Sequence, residues 1–215
     1  MCLGRFRDYP KEEFTMSKSL LQIIAVLFLI FTFTVPARAD GPMERIKETT
    51  DEIIVILSDP ALKGPDKAKE RRRRLRQVVD ERFDWEEFSR RTLAKHWKDR
   101  TEEEKREFIP LFGELVERTY MDKVEDYSGE KVKYEGERVK GNYGLVKAKV
   151  VTNDKREIDV EYRLKNKRSD WYVYDVKVVG VSLVKSYRVQ FNDIIMQSSY
   201  EDLVKRLKDK LAAEK

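Results

Sequence analysis

The sequence predicts an α+β domain: helices on one face of a curved, four-stranded antiparallel sheet, with an apolar space between the two layers. Apolar residues recur at helical spacing through the first half of the chain, at period two from Lys131 to Val178, and at helical spacing again to the end. The joint from Trp171 to Ile195 organises the rest. Tyr172, Tyr174, Val176 and Val178 define one apolar strand face, Gly180 permits a sharp turn, and Ser182 caps the next helix. That helix carries Val184, Tyr187, Phe191, Ile194 and Ile195 on one side, so it folds back across the sheet that precedes it.

Composition narrows the class. The 215 residues suit one domain or a small pair of domains, and 40% of them are charged. The 45 basic and 40 acidic side chains nearly cancel at +5, a well-solvated surface too balanced to argue for nucleic acid. An aromatic content of 11% is ample for a packed core and excludes a disordered chain. At the N-terminus, Lys18 precedes the apolar run Leu20 to Val35 and then Ala37-Arg38-Ala39, the pattern of a cleavable signal peptide. The run is shorter than the ~20 residues of a membrane span, although a retained anchor is the alternative reading. Met16 offers a second start site. The expected division is therefore 1–39 as upstream extension and signal peptide, and 40–215 as a single domain. Cys2, the 1 cysteine of the chain, falls in the first part, so the mature domain holds no disulfide.

The elements follow in order. Pro42 to Ser58 reads as a helix with Ile46, Ile53, Ile54 and Leu57 along one side; Asp59-Pro60 and Gly64-Pro65 break the chain after it. A second helix runs from about Asp66 to Arg82. Its arginines 71–74 point all round the axis, which fits a solvated helix with Leu75, Val78 and Val79 inward, or contact with anionic headgroups or an acidic partner. A short helix spans Phe83 to Lys95. His96, the single histidine, has no second histidine or cysteine with which to hold a metal. Thr101 and Glu104 form a capping box for the longest helix. Phe108, Leu111, Phe112, Leu115, Val116, Thr119, Tyr120, Val124 and Tyr127 line one side of it, and Pro110 removes one hydrogen bond near its start.

From Lys131 the period changes to two. Val132 and Tyr134 alternate with lysines; Val146, Ala148 and Val150 oppose Lys147 and Lys149; Ile158, Val160, Tyr162 and Leu164 oppose Glu157, Asp159, Glu161 and Arg163. Strands with one charged and one apolar face form an antiparallel meander with one side in water. The chain ends in a helix capped by Ser199, with Leu203, Leu207 and Leu211 as a narrow stripe. No G-x-S-x-G, H-E-x-x-H, P-loop or dinucleotide fingerprint occurs. Asp175, whose strand parity sets it opposite Tyr174 and Val176, reads as a tie between strand and helix.

The run W-x-V-x-D-V at 171–176, followed by G-V-S-L-V-x-x-Y-R-x-Q-F at 180–191, resembles the MlaC, or toluene-tolerance, family of periplasmic phospholipid carriers of Gram-negative bacteria. The Asp84-Trp85 pair followed by Leu93-Ala94-Lys95-His96-Trp97 is similar to that family's L-G-x-x-W element, with Ala94 in place of the usual glycine as a small-for-small exchange. The resemblance implies a nuclear-transport-factor-like or cystatin-like cone around an apolar lipid cavity. Its implied lining is Phe108, Phe112, Val116 and Tyr120 from the long helix; Val146, Ala148, Val150, Ile158, Val160, Tyr162, Tyr174 and Val176 from the strands; and Leu183, Tyr187 and Arg188 from the joint. Arg188 is either an ion-pair partner holding its helix or a contact to a lipid phosphate. The implied function is a non-enzymatic periplasmic shuttle that carries a phospholipid between an inner-membrane ABC transporter complex and an outer-membrane lipoprotein complex. It would work as a monomer, with no cofactor, metal or nucleic acid. A carrier for another lipid, such as a hopanoid, is the alternative; an enzyme acting on an apolar substrate is the third.

Overall fold

The computed structural model of the chain describes residues 40–213. The extension and signal peptide expected at 1–39 lie outside the described residues. Six helices and five strands follow in the order α1 (Pro42–Ser58), α2 (Ala68–Arg82), α3 (Trp85–Leu93), α4 (Glu102–Glu125), β1 (Lys131–Lys140), β2 (Tyr143–Val151), β3 (Glu157–Lys167), β4 (Asp170–Val178), β5 (Val181–Ser182), α5 (Leu183–Gln197) and α6 (Tyr200–Ala213). The architecture is α+β, as the pattern of periods predicts. Among the described residues no helix is long and apolar enough to cross a membrane.

Helix ends fall where their capping chemistry puts them. The Thr101 hydroxyl accepts the Glu104 N–H at 3.2 Å while the Glu104 carboxylate accepts the Thr101 N–H at 2.7 Å, the reciprocal box that starts α4. Ser182 accepts the Lys185 N–H to start α5, and Ser199 accepts the Asp202 N–H to start α6. The first helix is capped from a distance: the Glu137 carboxylate on β1 accepts the Met43 N–H at 2.7 Å. An anion there also suits the positive end of the α1 dipole.

The strands form one antiparallel sheet in the order β1-β2-β3-β4-β5. Between β3 and β4 the turn residues Arg168 and Ser169 take φ of 52° and 68°, the left-handed pair that matches strand twist in a two-residue hairpin. The two-residue β5, which pairs with Lys177 and Val178, is the strand that the period reading did not contain.

A bulge corrects the expected face of β4. Arg163 pairs with Asp175 and Leu164 with Val173, so Tyr174 has no partner across the ladder. An unpaired residue reverses the alternation. Trp171 and Val173 therefore share a face with Val176 and Val178, and Tyr172 and Tyr174 do not. Tyr174 instead lies under the Arg91 guanidinium, 4.0 Å from its ring centre, with Tyr143 edge-on at 6.2 Å.

Two apolar clusters hold the fold. Ile46 of α1 packs on Val146, Leu164, Trp171 and Val173 of the sheet. Gly144 allows that approach, because a Cβ there would sit 3.0 Å from Pro42 and 3.1 Å from the Trp171 ring. The larger cluster joins α3, α4 and α5 through Phe88, Phe108, Phe112, Tyr187 and Phe191, and α6 through Tyr200, Leu203 and Leu207. Phe112 is its centre, with ring centroids of Phe88, Tyr187 and Phe191 each 5.1 Å away. Phe83 forms a parallel bridge with Val173 and so fastens the α2–α3 junction to β4.

Asp175 joins the two clusters. Its carboxylate is 3% exposed, accepts the Ser182 hydroxyl at 2.7 Å and the Val184 N–H at 3.1 Å, and so ties β4 to the start of α5. The tie read from the sequence is present, although the bulge places it.

Candidate functional site

The space between the helices and the sheet is two adjoining apolar clefts. The first, about 270 Å³, lies between α2, α4 and β4; Leu75 and Val79 of α2, Val116, Tyr120 and Met121 of α4, and Val176 and Val178 of β4 form most of its wall. Phe83, Trp85 and Leu183 complete it. The second, about 360 Å³, lies between α1, the end of α4 and the first three strands, and is lined by Ile54, Leu57, Tyr127, Val132, Val150, Ile158 and Tyr162 among others. Ile53 and Val124 belong to both, so the clefts meet along that pair. Burial pushes the Tyr162 phenol up to about 12, which keeps it neutral in this wall.

The sequence-derived lining residues divide by position. Val116, Tyr120, Val176 and Leu183 come together in the first cleft, and Val150, Ile158 and Tyr162 in the second. Phe108, Phe112 and Tyr187 sit instead in the aromatic core, and Val146 lies under α1. Ala148 and Val160, 2% and 8% exposed, adjoin a polar recess walled by Lys147, Lys149, Asp159 and Lys177. Tyr174 is on the other side of the bulge, stacked with Arg91. Arg188 donates its Nε hydrogen to the Arg91 carbonyl at 2.9 Å, so it holds α5 to α3 through a main-chain acceptor in place of the expected ion pair.

Several cleft residues were read from sequence as plain core or not singled out at all. Ile53 and Leu57 of α1, Leu75 and Val79 of α2, and Met121 and Val124 of α4 all face the clefts. Their signal was present in the inward stripes of α1 and α2, but a stripe reveals only which side faces inward.

Among the described residues no buried carboxylate faces the clefts. Asp84 caps α3 by accepting the Glu87 N–H at 3.1 Å. Glu87 is 4% exposed; burial pushes its carboxyl up, but the Arg90 and Arg91 guanidiniums overcome this and hold it at about 2. Asp175 is committed to α5. Among the described residues no group of histidine, cysteine and carboxylate side chains is suited to a metal. His96 Nε2 lies 3.1 Å from the Asn192 side-chain oxygen and joins the 3₁₀ turn after α3 to α5. The arginine run is internally matched: Arg71 and Arg72 reach Glu125, Arg72 also reaches Asp122, and Arg73 and Arg74 share Glu70.

The family model described as MlaC protein matches residues 47–209. The chain belongs to the MlaC family. Within that family it is 24% identical over 122 residues to the intermembrane phospholipid transport system binding protein MlaC of Haemophilus influenzae. That alignment covers 54% of this chain and 57% of the relative, so it spans little more than half of the relative's length. The fold is shared with the phospholipid-binding protein from Ralstonia solanacearum, whose structure is a complex with a phospholipid. The match has a TM-score of 0.73 at 23% identity and covers 81% of this chain and 98% of that one. Ala94, which stands where the resemblance implies a glycine, has φ 49° and ψ −113°, a region that a Cβ disfavours. The exchange is therefore a matter of backbone conformation as well as of size.

Proposed function

We propose that the protein carries a two-chain phospholipid, one alkyl chain in each cleft, and passes it between membrane complexes. The observation that supports this reading most is the pair of apolar clefts meeting at Ile53 and Val124. Two separate slots suit two chains, whereas a fused polycyclic lipid calls for one broad space. Membership of the MlaC family and the names of its relatives point the same way.

The physics of the exchange favours such a site. Taking a chain of ~16 carbons out of water gains at most ~13 kcal/mol at ~0.8 kcal/mol per methylene, and the bilayer offers nearly the same. A carrier therefore works when its clefts are dry and preformed, so that extraction is close to neutral and reversible. Residues 1–39 act as upstream extension and signal peptide in this reading, and residues 40–215 work as a single lipid-binding domain in the periplasm. That domain meets an inner-membrane ABC transporter complex and an outer-membrane lipoprotein complex as a monomer, through modest polar contacts. The MlaC family to which the chain belongs is one of non-enzymatic lipid carriers, and the reading assigns the clefts no catalytic role.

Lipid pick-up tests the proposal. Delipidated protein incubated with phospholipid vesicles and separated from them by flotation should carry phospholipid into the soluble fraction. Protein that returns without lipid would overturn the reading.

A further inference from the structure

Of the residues lining the first cleft, only Arg76 and Glu117 are charged. The same two residues line a wide groove of about 1140 Å³ between α2 and α4, together with Lys69, Arg72, Arg73 and Arg118. Glu114 and Asp122 line it too, so Arg76 and Glu117 stand where the apolar cleft meets a charged, solvent-open groove with more cations than anions. Arg76 donates to Asp80 through Nε at 2.8 Å and to Glu117 through Nη1. Its guanidinium carbon lies 5.7 Å from the Trp85 ring centre, and the Trp85 indole N–H donates to the same Asp80 at 2.7 Å. One fork of Arg76 is thus fixed in direction by a carboxylate and an aromatic face.

Two details show a guanidinium held with capacity in reserve. Nη2 of Arg76 donates to no acceptor among the described residues. Gly113 of α4 lies against it, and a Cβ there would be 3.3 Å from Nη2 and 3.6 Å from the Trp85 ring. Glycine within a helix costs about 0.5–1 kcal/mol relative to alanine, and at this position it leaves room for the guanidinium. Both side chains of the Arg76–Glu117 pair remain partly open, at 25% and 22% exposure.

We propose that Arg76 is the seat for the phosphate of an amphiphile whose chains fill the clefts, with Glu117 as the built-in competitor that holds Arg76 when no phosphate is there. The inference rests on the carrier reading above and adds the group that meets the ligand's head. A guanidinium presents two parallel N–H donors that match a phosphate, and such charge-assisted pairs are the stronger class of hydrogen bond. The phosphate cannot share the site with the Glu117 carboxylate, so the carboxylate turns toward the water of the groove, whose cations Arg72, Arg73 and Arg118 already pair with Asp122 and Glu125, Glu70 and Glu114 respectively. Without a ligand Glu117 returns to Nη1, while Asp80 keeps the Nε side of Arg76 paired in either state. One anion is exchanged for another, which keeps the head group's contribution small and release possible.

Binding of dipalmitoylphosphatidylglycerol and of dipalmitoylglycerol, which has the same chains and no phosphate, tests the seat by native mass spectrometry of delipidated protein. Wild type should prefer the phospholipid by ~10-fold or more, the scale of one charge-assisted hydrogen bond. Arg76→Gln should erase that preference and leave diacylglycerol binding intact, Arg76→Lys should restore part of it, and Glu117→Gln should bind phospholipid more tightly and release it more slowly. The double variant Arg76→Gln/Glu117→Gln, which leaves no carboxylate stranded at position 117, should match Arg76→Gln and control for folding. Inorganic phosphate alone should not displace the lipid. An unchanged preference in Arg76→Gln, or displacement by inorganic phosphate, overturns the seat. Failure of wild type to bind either lipid overturns the carrier reading itself.

Discussion

Replacing Ala94 by glycine should stabilise the protein, against the usual effect of that substitution. Ala94 ends α3 at φ 49° and ψ −113°, and its own N–H is already bonded to the Arg90 carbonyl. An L-residue held in such a sparsely populated region costs about 1–3 kcal/mol. Glycine relieves that strain but loses about 0.4–1 kcal/mol through the greater freedom of the unfolded chain. The difference is a net gain of about 1 kcal/mol, or about 2–4 °C in Tm for a domain of this size. Urea unfolding of residues 40–215 should show a higher midpoint with an unchanged slope, because no surface is gained or lost. Ala94→Val should move the midpoint the other way, since a β-branched side chain tolerates positive φ least. An Ala94→Gly protein less stable than wild type would mean that the turn is ordinary helix, and would refute the link between this backbone and the glycine of the family element.

Three further outcomes follow from the packing. Glu87 sits at about 2 when folded against an ordinary value of 4.5, so its contribution is complete above about pH 4.5 and is lost as pH falls toward about 2; Glu87→Gln should flatten the decline of Tm in that window. Asp175→Ala should cost about 2–4 kcal/mol in urea unfolding, because it removes two hydrogen bonds to a charged, buried acceptor at the start of α5. Val176→Trp, which points its ring into the first cleft, should melt close to delipidated wild type and take up no lipid, whereas Ala148→Trp should lose about 1–3 kcal/mol by overpacking. Equal melting of those two tryptophan variants would place the open space elsewhere.

Helix ends and strand order were legible because each rests on local chemistry. Thr101 with Glu104, Ser182 and Ser199 cap helices in the structure as their spacing implies. The face of β4 was not legible, since period two assumes an unbroken ladder and the bulge at Tyr174 is set by its pairing with β3. The clefts were half legible for a related reason. Phe108, Phe112 and Val116 obey the same helical period and share one core cluster, yet only Val116 of the three also borders a void. Periodicity identifies the buried side of a helix; what meets that side depends on the separation of α2 from α4, which no single segment encodes. The pairing of Arg71 and Arg72 shows the same limit, because Glu125 and Asp122 lie far along the chain on another helix, whereas Arg73 and Arg74 reach Glu70 within their own helix.

The carrier reading is tested most directly by exporting residues 40–215 to a bacterial periplasm, purifying them without detergent, extracting with organic solvent and analysing the extract by mass spectrometry. The extract should contain phospholipid with two alkyl chains at close to one molecule per protein, absent from Val176→Trp purified in parallel. An extract free of lipid, or one dominated by a single-body polycyclic lipid, would contradict that reading.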